Sequence, residues 1–442
     1  MSVGNLPDPF VCARAVHYAA TIFIAGAAFF IVAIAEPAFG FARPGASLVA
    51  AFRRRLAFIV WPGLVMVLLS GTAWLLLTSE SMSGEPLADI LSQGMLWTVL
   101  SQTDFGNDWL ARLVMACALA AVFVPLLGQG VKSVWLRAAA VVLAAALIGS
   151  LAWAGHAIGG RGVEGVLHPA ADVLHLIAAA TWVGVLVPLA LLLAMMGKDA
   201  AALSTARMAT LRFSTIGIAA VATLLITGIV NTLYLVGSVP ALLGTEYGRL
   251  LLCKMALFLG MVGIATYNWS QLTPALVQSA SIIPAQKARR QLCRNAAIEA
   301  FAGVLIIGIV AVLGTMPPAS HVNHHAASGA IPADATFQHI HYEQGMADVM
   351  IEPGRVGTAD VTIHLLNEDL ATLAASEVTL TLTAPTPGSN PTTRPAAPDA
   401  DGVWHVDGIE LSEPGNWTVS VDAMLASGGR LQLAAPIVVY RK

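Results

Sequence analysis

The sequence predicts an all-α polytopic membrane bundle of eight transmembrane helices, N-out and C-out, followed by a small extracytoplasmic β-sandwich. Three observations predict it. Only 11% of the 442 residues are charged and 57% are hydrophobic, whereas soluble domains carry about 25% charged residues. Apolar runs reaching the roughly 20 residues that cross a bilayer recur up to residue 316. After Met316-Pro317-Pro318 the chain turns polar, and short alternating segments take over.

The apolar runs lie near 11–35, 57–78, 109–128, 134–154, 170–196, 212–236, 248–270 and 296–315. The first exceeds a signal-peptide core and has no basic flank, so it is expected to stay as a span. Loop Lys and Arg concentrate in four connections: 36–56 (Arg43, Arg53, Arg54, Arg55), 129–137 (Lys132, Arg137), 197–212 (Lys198, Arg207, Arg212) and 271–295 (Lys287, Arg289, Arg290, Arg294). The positive-inside rule puts these in the cytoplasm. Connection 79–108 carries Glu80, Glu85, Asp89, Asp104 and Asp108 with no Lys or Arg, and 155–169 has only Arg161. Both are expected outside, with the two termini.

The four cysteines, Cys12, Cys117, Cys253 and Cys293, show no CxxC or paired spacing, so they are expected to be small buried hydrophobes rather than a disulfide framework. A net charge of −3 without a basic face excludes nucleic acid as a partner. Residues 317–335 read as a His-rich linker, and 336–442 as an immunoglobulin-like sandwich of about seven strands. Its segments ADVTIHLL, EVTLTLTA, GVWHVDGIEL, WTVSVDAML and QLAAPIVV are separated by turn signals such as Glu352-Pro353-Gly354 and Glu413-Pro414-Gly415. The Pro/Thr-rich 384–400 is expected to be a long loop.

The stretch HPAADVLHLIAAATWVG, 168–184, carries the chemistry. At 100° per residue His168, Asp172, His175 and Trp182 fall within a stripe about 80° wide. Ionisable groups in lipid are costly and so point to function. Pro169 suits a first helical position, with His168 as N-cap. By the span order His17, His156, His168, Asp172 and His175 all lie within roughly 10 Å of the outer surface. Imidazoles and a carboxylate from three helices are expected to close around a transition metal, Asp172 ligating or fixing a tautomer. The competing reading leaves these histidines at the interface, satisfied by water or backbone.

Outside the membrane, HVNHH supplies His321, His324 and His325, and FQHIHYEQGMADVM supplies His339, His341, Met346 and Met350. Imidazole with thioether suits copper, as Cu(I) or Cu(II), better than a closed zinc site; a solvated linker without a role is the plain alternative. Asn231, Arg249, Lys254, Asn268 and Glu299 are further intramembrane polar groups. Lys254 is at a depth where it can pair with Asp172, whereas Glu299 is too far away; snorkelling accounts for Arg249. Cys12 and Cys253 share the outer depth but are weak ligand candidates.

These residues resemble the CopD copper-resistance and copper-uptake membrane proteins. The matching pieces are LSQTDFGNDWLARL, HPAADVLHLIAAATWVGVLVPLALLL, LITGIVNTLYLVGS, YGRLLLCKMALFLGMVGIATYNWSQLTPAL and RNAAIEAFAGVLIIGIVAVLGTMPP. The tail is similar to the YtkA/FixH-type domain rather than to the copper chaperone CopC, whose N-terminal histidine is absent here. The resemblance implies copper handling at the inner membrane, with import from periplasm to cytoplasm the usual proposal, and a periplasmic copper chaperone as a partner. A scaffold that hands metal on without transport, and a b-type haem carrier ligated by His17 and His175, are the alternatives. No GxxxxGK[ST] motif is present, so neither an ATP-driven pump nor an enzyme is expected.

Overall fold

The computed structural model describes residues 8–440 except 84–86, 93–94, 129–132, 155–161, 198, 237, 280, 317–331, 333, 343–344, 368–370, 387–388, 400–401 and 427. The chain divides into two compact units, Met1–Val322 and Asn323–Lys442.

Among the described residues of the first unit, eight helices are long and apolar enough to cross a membrane: α1 Pro9–Ala42, α2 Ala46–Glu80, α3 Phe105–Gly128, α4 Val134–Trp153, α5 Leu167–Met195, α6 Ala200–Leu235, α7 Glu246–Gln278 and α8 Ile282–Leu313. Their number matches the sequence reading, but several are longer. α2 starts at Ala46 rather than near 57 because the helix continues through its basic turn, where Arg53 pairs with Glu36 at 2.6 Å. α8 starts at Ile282 rather than near 296, its first turns fixed by Arg289 donating to the Leu193 carbonyl and to Gln286 Oε1. Hydropathy marks the part of a helix that meets lipid, whereas backbone hydrogen bonding sets its length. α5 likewise extends back to Gly162. His168 is therefore inside the helix, not its N-cap, and Pro169 is an interior proline.

In α1, 72% of the most apolar window is buried, against 11% to 56% in the other seven spans, so the bundle packs around it. Its contact with α5 is backbone on backbone. A side chain at Gly26 would fall on the main chain of Gly184, and one at Gly184 on the Ile22 carbonyl, the small-residue approach that membrane helices use in place of a hydrophobic drive. Two π-helical segments interrupt the spans, Ile31–Ala35 in α1 and Asn268–Leu272 in α7. The cysteines form no disulfide, but Cys117 and Cys253 are exposed rather than buried. In a membrane the outer face of a helix is itself apolar, so burial is not required.

Among its described residues the second unit has nine strands: β1 Thr336–Tyr342, β2 Gly345–Glu352, β3 Gly357–Leu366, β4 Ala375–Thr383, β5 Thr392–Pro395, β6 Ala397–Pro398, β7 Val403–Leu411, β8 Gly415–Leu425 and β9 Arg430–Val439. They form two antiparallel sheets, ordered β1-β2-β3-β7-β6 and β5-β4-β8-β9. Period-2 alternation builds the core, with Ala347, Val349, Ile351, Val361, Ile363 and Leu365 from one sheet and Val378, Leu380, Leu382, Val419 and Val421 from the other. The expected long loop 384–400 instead holds β5 and β6, which carry the chain from one sheet to the other. Both are edge strands, where proline is tolerated because no ladder hydrogen bond is lost.

Candidate metal site

α5 and α6 run antiparallel and meet along a seam of matched spacing. His168, Asp172 and His175 recur at i, i+4 and i+7, and so do Thr227, Asn231 and Tyr234 on α6. The pairs are sequential. His175 Nδ1 is 2.9 Å from Thr227 Oγ1, Asn231 Nδ2 donates to Asp172 Oδ1, and the His168 ring stacks on Tyr234 with centroids 4.9 Å apart. His168 Nε2 also faces Asp172 Oδ2 at 3.9 Å.

Hydrogen-bond inventory fixes the histidine's state. Thr227 Oγ1 donates its one proton to the Thr223 carbonyl at 2.7 Å, so towards His175 it only accepts. Nδ1 therefore carries the proton, and Nε2 presents a free lone pair, the form that ligates metals. Two polar atoms of the seam, His168 Nε2 and Asn231 Oδ1, are buried with no hydrogen-bond partner among the described residues. Buried polar groups are normally satisfied, so orphaned atoms here mark a place for a ligand.

The seam opens onto a cavity of about 220 Å³ lined also by Arg14 and Tyr18 of α1, Tyr247 and Lys254 of α7, Val310 of α8 and Gly314 just past its end. Lys254 is close enough for its charge to act on both Asp172 and His175. Arg14 is held at the rim, donating to the Gly314 carbonyl at 2.6 Å and to Tyr18 Oη at 3.2 Å. Arg249, as snorkelling predicts, is exposed.

Of the expected ligands, His168, Asp172 and His175 share the seam and His17 stands apart from it. His17 turns the other way, its Nδ1 lying 3.2 Å from both the Val67 carbonyl and Ser70 Oγ of α2, with Trp74 edge-on at 5.7 Å. Arg14, Tyr18 and Ile22 are the α1 residues that line the cavity. Depth along a helix was legible and rotation about it was not. Among the described residues His17 is thus not part of the cavity that His175 lines. Among the described residues no three His, Cys, Asp or Glu side chains converge at ligating distance. His156, His321, His324 and His325 lie outside the described residues.

In the second unit His339 and His341 stand at register positions opposite Asp348 and Met346. Asp348 is in turn opposite His364, Met350 opposite Thr362, and Thr362 opposite His405. Ala347, Val349 and Ile351 fill the core, so Met346, Asp348 and Met350 occupy the other face. Thr362 Oγ1 and His405 Nδ1 are 3.4 Å apart. Burial, and then the neighbouring His405, lower the His364 pKa, with Asp348 opposing; this keeps His364 neutral near pH 7. Sequence reading missed Asp348, His364 and His405 because only strand pairing brings them into line.

The fold and this seam define a polytopic membrane protein that holds imidazoles and a carboxylate in a cavity between its spans. The family model for copper resistance protein D matches residues 207–313, and that for the copper resistance protein D-like N-terminal domain matches 6–166. The chain is 31% identical to copper resistance protein D of Pseudomonas syringae pv. tomato over 57% of its own length and 83% of the relative's. It is 32% identical to inner membrane protein YebZ of Escherichia coli over 63% and 93%, and 24% identical to copper transport protein CutJ of Bacillus subtilis over 75% and 58%. The chain belongs to the copper resistance protein D (CopD) family.

Proposed function

We propose that this chain is a copper carrier of the bacterial inner membrane, not an enzyme, and that it takes copper from the periplasm through the α5–α6 seam towards the cytoplasm. The observation that carries this reading is the seam itself. His175 Nε2 presents a lone pair, and the buried His168 Nε2 and Asn231 Oδ1 have no hydrogen-bond partner among the described residues, all beside Asp172, a residue set suited to copper ions. The name of CutJ, a copper transport protein, and that of YebZ, an inner membrane protein, support it.

The basic connections support an orientation with the seam at the periplasmic end. The β1-β2-β3 sheet, where His339 and His341 stand in register with Asp348 and Met346, then collects metal together with His321, His324 and His325 of the linker; Met346 and Asp348 are themselves buried. Below the seam lies an apolar layer of Ala178, Trp182, Leu224, Phe258 and Met261. In it Met261, 1% exposed, offers a thioether to Cu(I).

That closed layer also favours a second reading, a metallochaperone scaffold that binds copper in the seam and passes it sideways to a partner such as a periplasmic copper chaperone. Cytoplasmic copper measured with and without the chain separates the two. Transport predicts a rise with the wild type that His175→Ala abolishes; a scaffold leaves cytoplasmic copper unchanged while the purified chain still binds the metal.

A further inference from the structure

Four of the helices that line the seam cavity, α5, α6, α7 and α8, also line a second cavity of about 320 Å³ nearer their basic ends. Along α5 the first is lined up to Ala179 and the second from Trp182; along α7 the first ends at Lys254 and the second begins at Val262. The Trp182–Met261 layer lies between. The second cavity is walled largely by apolar side chains such as Leu186, Phe213 and Val221, yet it holds Glu299, a residue 1% exposed.

The Glu299 carboxylate is half satisfied. Asn268 Nδ2 donates to Oε1 at 2.8 Å, and Asn295 Nδ2 donates to Asn268 Oδ1 at 2.6 Å. This chain leaves the Asn268 amide only one orientation, with its NH2 towards the acid. Oε2 is buried without a partner among the described residues, and so is the hydroxyl of Thr210 on the same cavity wall. Asn268 also opens the π-helical segment of α7, a distortion frequent at functional sites.

The donors of this cavity are oxygens: Thr210, Ser214, Thr266, Asn268, Thr273 and Glu299. Among the described lining residues none offers imidazole or sulfur, so a soft cation does not fit. An alkali cation needs several oxygens at once, whereas a proton needs one lone pair, and Oε2 supplies one. No other titratable side chain lines the cavity from α5, α6, α7 or α8. Of the arginines of those helices at the basic end, Arg207 binds the carbonyls of Leu276 and Ser279, Arg212 that of Ala33 and Arg289 that of Leu193, while Arg290 and Arg294 of α8 are exposed and do not line the cavity. From α1, Arg14 faces the seam cavity and His17 faces α2.

We propose that Glu299 is a proton-binding site, loaded through water in the second cavity. Oε2 takes a proton from hydronium to form the neutral carboxylic acid and water, and returns it by the reverse step. Its use in driving copper movement rests on the transport reading; the protonation itself does not.

The test is infrared difference spectroscopy of the full chain in lipid nanodiscs, titrated with acid, for wild type, Asp172→Asn and Glu299→Gln. A protonated-carboxyl band titrating in wild type and Asp172→Asn, lost in Glu299→Gln and insensitive to sodium, is the expected result. A band that persists in Glu299→Gln, or wild-type titration displaced by sodium, overturns the proposal, the latter in favour of an alkali-cation site. In copper-loaded proteoliposomes the wild-type rate should change up to about tenfold per pH unit on the limb where one proton titrates, while Glu299→Gln stays flat within about twofold. If no variant transports copper, the transport reading fails while the infrared result still decides the proton site.

Discussion

His17 and His175 are held by the same device. In each, ring Nδ1 meets a hydroxyl on a neighbouring helix, and that hydroxyl donates to the carbonyl four residues earlier: Ser70 to Met66 at 2.6 Å and Thr227 to Thr223 at 2.7 Å. What differs is the space beyond the ring. Around His17 it is filled by Trp74 and by the close passage of Gly71, where an added side chain would press on the imidazole. Around His175 it is a cavity shared with Asp172 and Lys254. An intramembrane histidine is thus a packing element or a ligand according to what its free nitrogen faces, and the hydrogen bond on the other nitrogen does not distinguish the two.

The contrast breaks most completely if α1 and α5, the helices that carry the two histidines, are forced apart. Gly184→Val places two methyl groups against the α1 backbone. It should abolish the folded bundle, read as loss of a monodisperse peak in detergent; a normally folded variant would show that the α1–α5 contact is dispensable. Next in size is the difference between the histidines themselves. His17→Ala should lower stability by about 1–3 kcal/mol through the unsatisfied groups it leaves, seen in thermal melts, while copper accumulation persists. Equal loss of accumulation in His17→Ala and His175→Ala would merge the two regions into one site.

A smaller effect tests the tautomer argument. Thr227→Val removes the acceptor that fixes His175 and should weaken copper binding by about 10- to 100-fold, whereas Ser70→Ala should leave it unchanged; calorimetric titration of the purified chain reads both. The smallest effect concerns the second unit. Because His364 is held below the ordinary value of 6.5, the unfolded chain binds more protons than the folded one as pH drops below 6.5. Stability of that unit should therefore be level above this pH and fall below it. Hydrogen-exchange protection of β3, corrected for intrinsic rates, should decline on acidification in wild type and less in His364→Gln.

Much of this fold was legible beforehand. The spans, the clustering of Lys and Arg and the switch to alternating strands come from composition and period alone. The seam was only half legible. His168, Asp172 and His175 stand out because charge in lipid is rare; Asn231 is visible as a polar group, but Thr227 and Tyr234 are residue types that membrane helices tolerate, so their matched spacing does not single them out. Asn268 and Glu299 were visible as polar groups without a partner assignment, because the π-helical turn that aims Asn268 has no signature in the local pattern. The row through Asp348 and His364 depended on strand register, which separate segments do not encode.

That π-helical turn has a geometric consequence downstream. One additional residue per turn resets the angular phase of everything that follows, so the carbonyls of Leu276 and Ser279 arrive where Arg207 reaches them, at 2.9 and 2.7 Å. Winding Asn268–Leu272 into a regular α-helix with every residue kept would swing both carbonyls by about 100°, unhooking α7 from α6 at its basic end. The wide turn thus sets the angle at which the far end of α7 meets its neighbour.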